Sequence, residues 1–329
     1  MKKKSSFAVC IFLVALAACL VFVGAQESMA KKTMISIGGG PAGGAMAMAA
    51  GGMADFINKK LPNVDASARG TGASTENFKL LGIKAIDFGM SATDVAYKGI
   101  NGISPFNKPI LNVRALGLIW SSEFIVMVKK NSGITSFKDL KGKKIAGGAA
   151  GTGMLNASRS LLPLFGVNLE DVKTLGYRPA AYAFKDGRVD AIAMRGPQPF
   201  PPAIELTTTQ DVRFLSMTEE EQNLVIEKFP YYSKNILPAG IYRLQDNPVH
   251  NVRQDCYLAA RDDTPEELVY QVTKTIFSQE GLQYMSKVHR IFKTLKLDRV
   301  LDWATTKQIV QMHPGAMSYY KELAKQLGR

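Results

Sequence analysis

Residues 35–44 read Ile-Ser-Ile-Gly-Gly-Gly-Pro-Ala-Gly-Gly, a short apolar segment that ends in a glycine-rich turn. The pattern predicts a strand over Met34–Gly38 and, after the turn, a helix over Ala45–Lys60. Glycine lets the backbone approach a ligand closely, and the helix N-terminus behind it offers free N–H groups and a positive dipole end. The turn is a candidate anion site, while the alternative is that glycine only makes the turn tight.

The same arrangement occurs twice more in the chain. Residues 69–77, Arg-Gly-Thr-Gly-Ala-Ser-Thr-Glu-Asn, and residues 146–153, Ala-Gly-Gly-Ala-Ala-Gly-Thr-Gly, each lead from a predicted strand into a predicted helix. Thr71, Ser74 and Thr152 add hydroxyl groups to these turns. Three such turns predict a shared site for a carboxylate or phosphate.

Apolar runs alternate with helical segments as far as about Arg195, which predicts an α/β protein with mostly parallel sheet. The predicted strands are Met34–Gly38, Val64–Ala68, Ile86–Met90, Val113–Ile119, Phe124–Lys129, Lys144–Gly147, Val172–Gly176 and Ala191–Met194, and the further helices include Thr75–Leu81, Met154–Leu164 and Pro179–Lys185. Residues 131–144 predict the start of a second α/β unit. The extended stretch Val252–Ala260, followed by a helix over Pro265–Gln279, predicts a return to the first unit.

The N-terminus has the layout of a secretory signal peptide. Three lysines precede an apolar run over Phe7–Val23, and small residues before Ala25 and Ala30 give two cleavage sites, so residues 1–30 are predicted to be removed on export to the periplasm. Two alternatives stay open: an uncleaved anchor, because the run approaches the length of a membrane span, and lipidation at Cys19, because Leu16–Cys19 resembles a lipobox.

Length and composition restrict the function class. A chain of 329 residues that is 46% apolar and 21% charged is neither disordered nor collagen-like, and is long enough for two domains. The net charge of +13 invites a nucleic-acid partner; without the three Lys and one Glu of residues 1–30 it is still +11, from 38 basic and 27 acidic residues. The basic residues follow no nucleic-acid-binding motif, so no nucleic acid is expected.

Sites for metals and catalytic nucleophiles are weakly represented. The three histidines, His250, His289 and His313, are far apart and none has zinc-site spacing, so no metal is expected. Cys256 is the one cysteine left after residue 30, and its apolar surroundings predict a small buried side chain rather than a nucleophile.

The first turn also fits a different protein class. Gly38, Gly40 and Gly43 spell G-x-G-x-x-G after a strand, as in dinucleotide-binding loops. Such loops need an acidic residue at the end of the second strand, whereas that strand ends in Arg69 and Asp65 lies near its beginning. A flavin- or nicotinamide-dependent enzyme using residues 38–44 is therefore kept as an alternative, and no cofactor is expected otherwise.

The order of motifs along the chain resembles the extracytoplasmic solute-binding proteins of TAXI-type TRAP transporters. The resemblance runs from about Thr33 to Lys321. Besides the glycine-rich turns it rests on five motifs: Asp87–Tyr97, Asp139–Lys144, Asp186–Ala191, Pro238–Tyr242 and His313–Glu322.

The resemblance implies a two-lobed periplasmic-binding fold of type II, each lobe a mixed, mostly parallel sheet flanked by helices, with the ligand in the cleft between them. Residues 31–123 and 252–329 would form one lobe and residues 124–251 the other, with crossings near 120–130 and 238–255. The protein would be a receptor, not an enzyme, that delivers a small organic acid or amino acid to a TRAP-type permease. A sensory receptor for a membrane kinase would use the same cleft.

The turns and the resemblance together give the candidate ligand-binding residues: Gly40, Gly43, Thr71, Ser74, Ser91, Asp94, Gly151, Thr152 and Gly153. Hydroxyl groups would donate to a carboxylate and Asp94 would pair with an amino group, although Ser91 and Asp94 also suit helix caps. This chain departs from the family at two places. Met46 and Met48 replace aromatic residues, and Arg195 stands where an uncharged residue is usual. Its guanidinium would clamp a carboxylate, or else be solvated.

Overall fold

The protein is described here by a computed structural model, which covers residues 32–150, 152–306 and 309–329. The predicted signal peptide, Cys19 and Gly151 lie outside these ranges. The longest helix within them has 16 residues, about 24 Å, and a bilayer core is about 30 Å thick. None of the described helices is long and apolar enough to cross a membrane.

Strands and helices alternate along the chain, as the sequence predicts. The strands are β1 (Thr33–Gly38), β2 (Val64–Arg69), β3 (Phe88–Ala92), β4 (Val113–Lys129), β5 (Ile145–Gly148), β6 (Val172–Thr174), β7 (Ala191–Gly196), β8 (Val212–Phe214), β9 (Ser233–Leu237) and β10 (Val249–Arg261). The helices are α1 (Ala45–Lys60), α2 (Ser74–Gly82), α3 (Thr93–Ile100), α4 (Gly153–Leu161), α5 (Tyr177–Lys185), α6 (Pro201–Thr209), α7 (Glu219–Lys228), α8 (Glu266–Phe277), α9 (Gln279–Val288), α10 (Leu297–Thr305) and α11 (Pro314–Gln326).

These strands form one mixed sheet in the order β2-β1-β3-β10-β4-β7-β5-β6, with β8 added to β4 and β9 to β10. The pairs β1–β2, β1–β3, β5–β6 and β5–β7 are parallel. Among the described residues, the pairings of β4 and β10 with other strands are antiparallel, and one isolated parallel bridge joins Ala115 of β4 to Met312. The predicted α/β class, with a mixed sheet flanked by helices, is confirmed.

The buried apolar residues fall into separate clusters. One cluster takes its members from residues 35–119 and 256–323. Two others, one on each face of the remaining strands, take theirs from residues 124–252. The chain thus passes from the first group of residues to the second along β4 and returns along β10.

Strand β4 is longer than the sequence predicts. The sequence predicts two strands, Val113–Ile119 and Phe124–Lys129, because polar residues separate them, but the structure has a single strand of 17 residues. The polar residues stay in the strand because β10 offers polar neighbours in register: Ser121 is opposite Asp255, and Glu123 is opposite Arg253. A buried polar pair with a partner costs little, whereas a lone buried polar group is expensive.

Candidate functional site

Two adjoining cavities lie where the apolar clusters meet, with volumes of about 250 and 390 Å³. Both are lined by Asp94, Arg195 and Gln254, and we call them together the polar cleft. The smaller cavity is also lined by Met46, Ser74, Ala92, Val95, Trp120, Ser122, Asp255 and Cys256. The larger is also lined by Lys98, Gly153, Asn156, Ala157, Arg159, Ser160, Leu169, Tyr231 and Tyr232.

Arg195 enters the polar cleft from β7, where its backbone pairs with that of Phe124 in β4. Its Nη1 donates to the carbonyl oxygen of Gly153 at 3.3 Å. Its Nε is buried and has no hydrogen-bond partner among the described residues. A guanidinium with a buried, unused donor is arranged to bind an acceptor that arrives with a ligand.

Gly153 owes its place beside Arg195 to its missing side chain. A Cβ built on Gly153, the first residue of α4, would lie 2.6 Å from Arg195 Nη1. Because real Cβ contacts are not so short, any larger residue would displace the guanidinium. The glycine here serves the position of Arg195, while Gly151, two residues earlier, lies outside the described residues.

Asp94 enters the cleft from the first turn of α3. Its carboxylate makes no hydrogen bond or ion pair with another described residue. The cap role open to it in the sequence is not used, because α3 begins after Ala92 without a side-chain cap bond. The positive end of the helix dipole favours a carboxylate at this position. Asp94 and Arg195 thus present opposite charges to one cavity.

Gln254 and Asp255 reach the cleft from β10 and are missing from the residues predicted by sequence. Asp255 accepts from Ser121 Oγ at 2.5 Å and from Trp303 Nε1 at 3.0 Å, which fixes its carboxylate. Gln254 is only 3% exposed, yet its side-chain amide makes no hydrogen bond with another described residue. The sequence signal that identifies them is a run of three polar residues, Arg253–Asp255, inside the otherwise apolar stretch Val252–Ala260.

Tyr231 and Tyr232 both line the larger cavity. Burial, helped by the negative charge of Asp94, raises the pKa of Tyr231 to about 12, and burial raises the pKa of Tyr232 as well. Both phenols are therefore neutral at pH 7 and act as hydrogen-bonding groups. Thr93 Oγ1 donates to the carbonyl oxygen of Tyr231 at 2.9 Å, so α3 is tied to this segment across the cleft.

Ser74 is the one hydroxyl of the first two turns that lines the cleft. Thr71 Oγ1 lies 2.8 Å from Asn77 Oδ1 and 3.1 Å from the carbonyl oxygen of Gly39, so it is engaged within the turns. Gly40 is buried next to Met46, and Gly43 is exposed with a φ of 78° that favours glycine. Neither Gly40 nor Gly43 lines the polar cleft, and their role in binding stays a prediction.

Ser91 and Thr152 are also placed outside the cleft lining. Ser91 is fully buried in β3, beside Tyr257 of β10. Thr152 caps α4: its hydroxyl donates to Ala149 O at 2.7 Å and accepts from Leu155 N at 3.2 Å. Because a hydroxyl has one proton, Thr152 has none left for a carboxylate in this arrangement.

The glycine-rich loop at 38–44 is a poor fit to a dinucleotide. The buried amide of Asn77 donates to Gly39 O at 2.8 Å and to Met90 O at 2.9 Å, which ties the loop to its neighbours. In the β1–β2 register Gly38 is opposite Arg69, and Asp65 is opposite Met34. Four residues of strand, about 13 Å, separate the acidic group from the loop. The acidic residue that would bind a ribose therefore lies at the wrong end of strand β2.

Solved structures with a similar fold include several proteins of the substrate-binding type. The periplasmic aliphatic sulphonate binding protein SsuA from Escherichia coli is 15% identical, with 90% of this chain and 86% of that chain covered and a TM-score of 0.45. Substrate-binding domain 2 of GlnP from Lactococcus lactis is 14% identical, with 80% and 95% covered and a TM-score of 0.42. PstS from Borrelia burgdorferi is 11% identical, with 78% and 97% covered and a TM-score of 0.47.

A family profile matches most of the sequence. The match spans residues 37–323, which includes every residue of the polar cleft and both long strands β4 and β10. On this match, the chain belongs to the NMT1-like family.

Proposed function

We propose that the protein is an exported solute-binding receptor that captures a small carboxylate, or an amino-acid-like zwitterion, in the polar cleft. The observation that carries this proposal is Arg195, whose buried Nε has no partner among the described residues while Asp94 and Gln254 face the same space. The guanidinium would bind the ligand's carboxylate, and Asp94 would bind an ammonium group. Gln254 and Ser74 would add neutral hydrogen bonds.

The receptor would have two lobes, residues 31–123 with 252–329 and residues 124–251, which close over the ligand. The separation of the apolar clusters supports this division. β4 and β10 would act as the hinge, because they are the strands that carry residues of both groups. Arg195 and Tyr231 already line cavities together with Asp94 in this structure, so the lobes would have to open to admit the ligand and then close over it.

Binding without catalysis is supported by the state of the nearest nucleophile. Cys256 borders the cleft but is only 2% exposed, and burial, together with the negative charges of Asp255 and Asp94, raises the pKa of its thiol. The reactive form of cysteine is the thiolate, so this thiol is a poor nucleophile. The geometry of the 38–44 loop also argues against the dinucleotide-dependent enzyme.

A thermal-shift screen of the purified protein against organic acids and amino acids tests the proposal. A ligand at 100 times its Kd stabilises the folded state by about 2.7 kcal/mol, which raises Tm by several degrees. At least one small carboxylate should give this shift. A protein that no such compound shifts, and that purifies yellow with bound flavin, would instead be the enzyme.

We further propose that the receptor serves a TRAP-type permease, as the TAXI resemblance implies. Such a permease moves the ligand inward with an ion gradient, so cells lacking this gene should lose gradient-driven uptake of the identified ligand. Unchanged uptake, with loss of a kinase-dependent response to the same compound, would favour the sensory receptor.

A further inference from the structure

A third cavity, of about 440 Å³, lies between the segment after β7 and the 3-10 helix Arg290–Thr294. We call it the apolar chamber. Its walls are formed mainly by Pro197, Pro199, Phe200, Pro201, Ile204 and Ile291. The Pro-rich segment 197–202 that forms one wall has no part in the polar contacts of the cleft.

Two links connect the apolar chamber with the polar cleft. Pro197 follows Arg195 by two residues at the end of β7. In addition, Trp120, which lines the polar cleft, makes an edge-to-face contact with Phe292, at 6.5 Å between ring centroids. Phe292 follows Ile291, which lines the chamber. The two spaces have no lining residue in common, but these neighbouring residues connect them.

The wall of the chamber is held in place before any ligand arrives. The backbone N–H of Phe200 donates to Tyr242 Oη at 2.6 Å. The ring of Phe200 packs against Gly196, where a Cβ would lie 2.7 Å from the ring. It also contacts the ring of Tyr177, at a centroid distance of 5.3 Å. Proline has little backbone freedom to lose. A fixed apolar wall binds an apolar group with little ordering cost.

The charged residues that line the chamber are positive, which favours a negatively charged ligand. Arg290 and Lys293 border the chamber, are exposed, and form no ion pair with another described residue. None of the residues that line the chamber is acidic. These two cations attract anions to the chamber, whose other polar lining residues are Gln198, His289 and Thr294.

We propose that the ligand carries an apolar chain that fills this chamber while its carboxylate binds Arg195. This inference rests on the proposed function and narrows the substrate class from small hydrophilic acids to carboxylates with an alkyl or aryl group. The polar cleft, with cavities of about 250 and 390 Å³, would hold the ligand's charged groups, and the chamber adds about 440 Å³ for its apolar chain.

Calorimetric titration with acetate, butanoate, hexanoate and octanoate tests the inference. Each methylene buried in the chamber should tighten Kd about fourfold until the chamber is full. If carboxylates bind with a Kd that does not change along the series, the chamber does not hold the chain, although the proposed function stands. If no carboxylate or amino acid binds at all, the proposed function itself fails.

Ile204→Glu supplies the matched variant, because Ile204 is 44% exposed and its replacement should not prevent folding. The control is Leu224→Glu, in helix α7, where Leu224 is 41% exposed and lines none of the three cavities. Ile204→Glu should abolish the increase in affinity from acetate to hexanoate and leave the Kd for acetate unchanged. Leu224→Glu should change neither this increase nor the Kd for acetate. A chain-length gain that survives Ile204→Glu would overturn the inference.

Arg195→Met distinguishes a single ligand site that includes both the polar cleft and the chamber from two independent sites. It should weaken every member of the series, because each carboxylate uses the same guanidinium. Hexanoate binding at wild-type affinity to the Arg195→Met protein would show that the chamber binds it independently, which would also overturn the inference.

Discussion

Arg195→Met is expected to weaken ligand binding about 100-fold or more and at the same time to make the ligand-free protein more stable. In the structure the guanidinium has a buried Nε without a partner among the described residues and one long hydrogen bond, to Gly153 O at 3.3 Å. Methionine fills similar space with an unbranched apolar chain. The substitution therefore removes an unsatisfied donor from the cleft rather than a packed core residue.

The two effects differ in size. Relief of a buried unsatisfied donor is worth about 1–3 kcal/mol, and the lost hydrogen bond to Gly153 costs about 1 kcal/mol. The net gain is about 1 kcal/mol, a rise in Tm of roughly 2 °C. Each charged hydrogen bond to a carboxylate is worth about 1.5–3 kcal/mol, so loss of a bidentate pair should weaken binding by 100-fold or more.

Calorimetry measures both quantities on the same preparations: scanning calorimetry gives Tm without ligand, and titration gives Kd for the carboxylate identified by the screen. Arg188→Met is the control, because Arg188 has a side chain that is 67% exposed and pairs with Asp186 at 3.1 Å. It should leave Kd and Tm nearly unchanged. A lower Tm together with an unchanged Kd for Arg195→Met would show instead that Arg195 is a structural residue and does not bind the ligand.

Three further substitutions test other parts of the account. Gly153→Ala should weaken carboxylate binding several-fold without lowering Tm, because the added Cβ displaces the Arg195 guanidinium. The control is Gly51→Ala, in α1, where an added Cβ meets open space and binding should stay unchanged. Thr152→Ala should lower stability by about 1 kcal/mol through loss of the α4 cap, and a serine there should retain the cap; equal stability of the two variants would contradict this. Burial raises the pKa of Glu123 above its ordinary value of 4.5, so the stability linked to its proton is complete below that pH and is lost as pH rises through the folded-state pKa. We therefore expect the free energy of unfolding of Glu123→Gln, relative to that of the wild type, to be higher at pH 7 than at pH 4, as measured by chemical denaturation at both pH values. An equal difference between the two proteins at both pH values would contradict this expectation.

The parts of the fold that depend on local sequence are well predicted. β1, α1, β2 and α2 agree with their predicted bounds to within one residue, because apolar spacing and glycine turns act over a few residues. Helix α4 ends at Leu161, earlier than predicted, and a 3-10 turn containing Pro163 follows. Proline lacks the N–H that would continue the α-helix.

The elements that sequence patterns miss depend on partners far away in the chain. β3 begins at Phe88, two residues later than predicted, because Asp87 accepts hydrogen bonds from the backbone N–H and the hydroxyl of Ser36. The short strands β8 and β9 are not predicted at all. They exist as edge additions to β4 and β10 and have little apolar pattern of their own.

The candidate site divides in the same way. Ser74, Asp94, Gly153 and Arg195 follow or end strands, where sequence reasoning looks for ligand contacts, and the structure brings all four to the polar cleft. Gln254 is hidden within a strand. It reaches the cleft only because β10 runs beside β4 at the junction of the apolar clusters, a pairing that joins residues more than 100 positions apart.

A crystal structure of the protein with the carboxylate that stabilises it most tests ligand binding by Arg195 directly. We expect the carboxylate within hydrogen-bond distance of the Arg195 guanidinium, with Asp94 and Gln254 facing the same molecule. A ligand bound elsewhere, with Arg195 still donating only to Gly153, would contradict it.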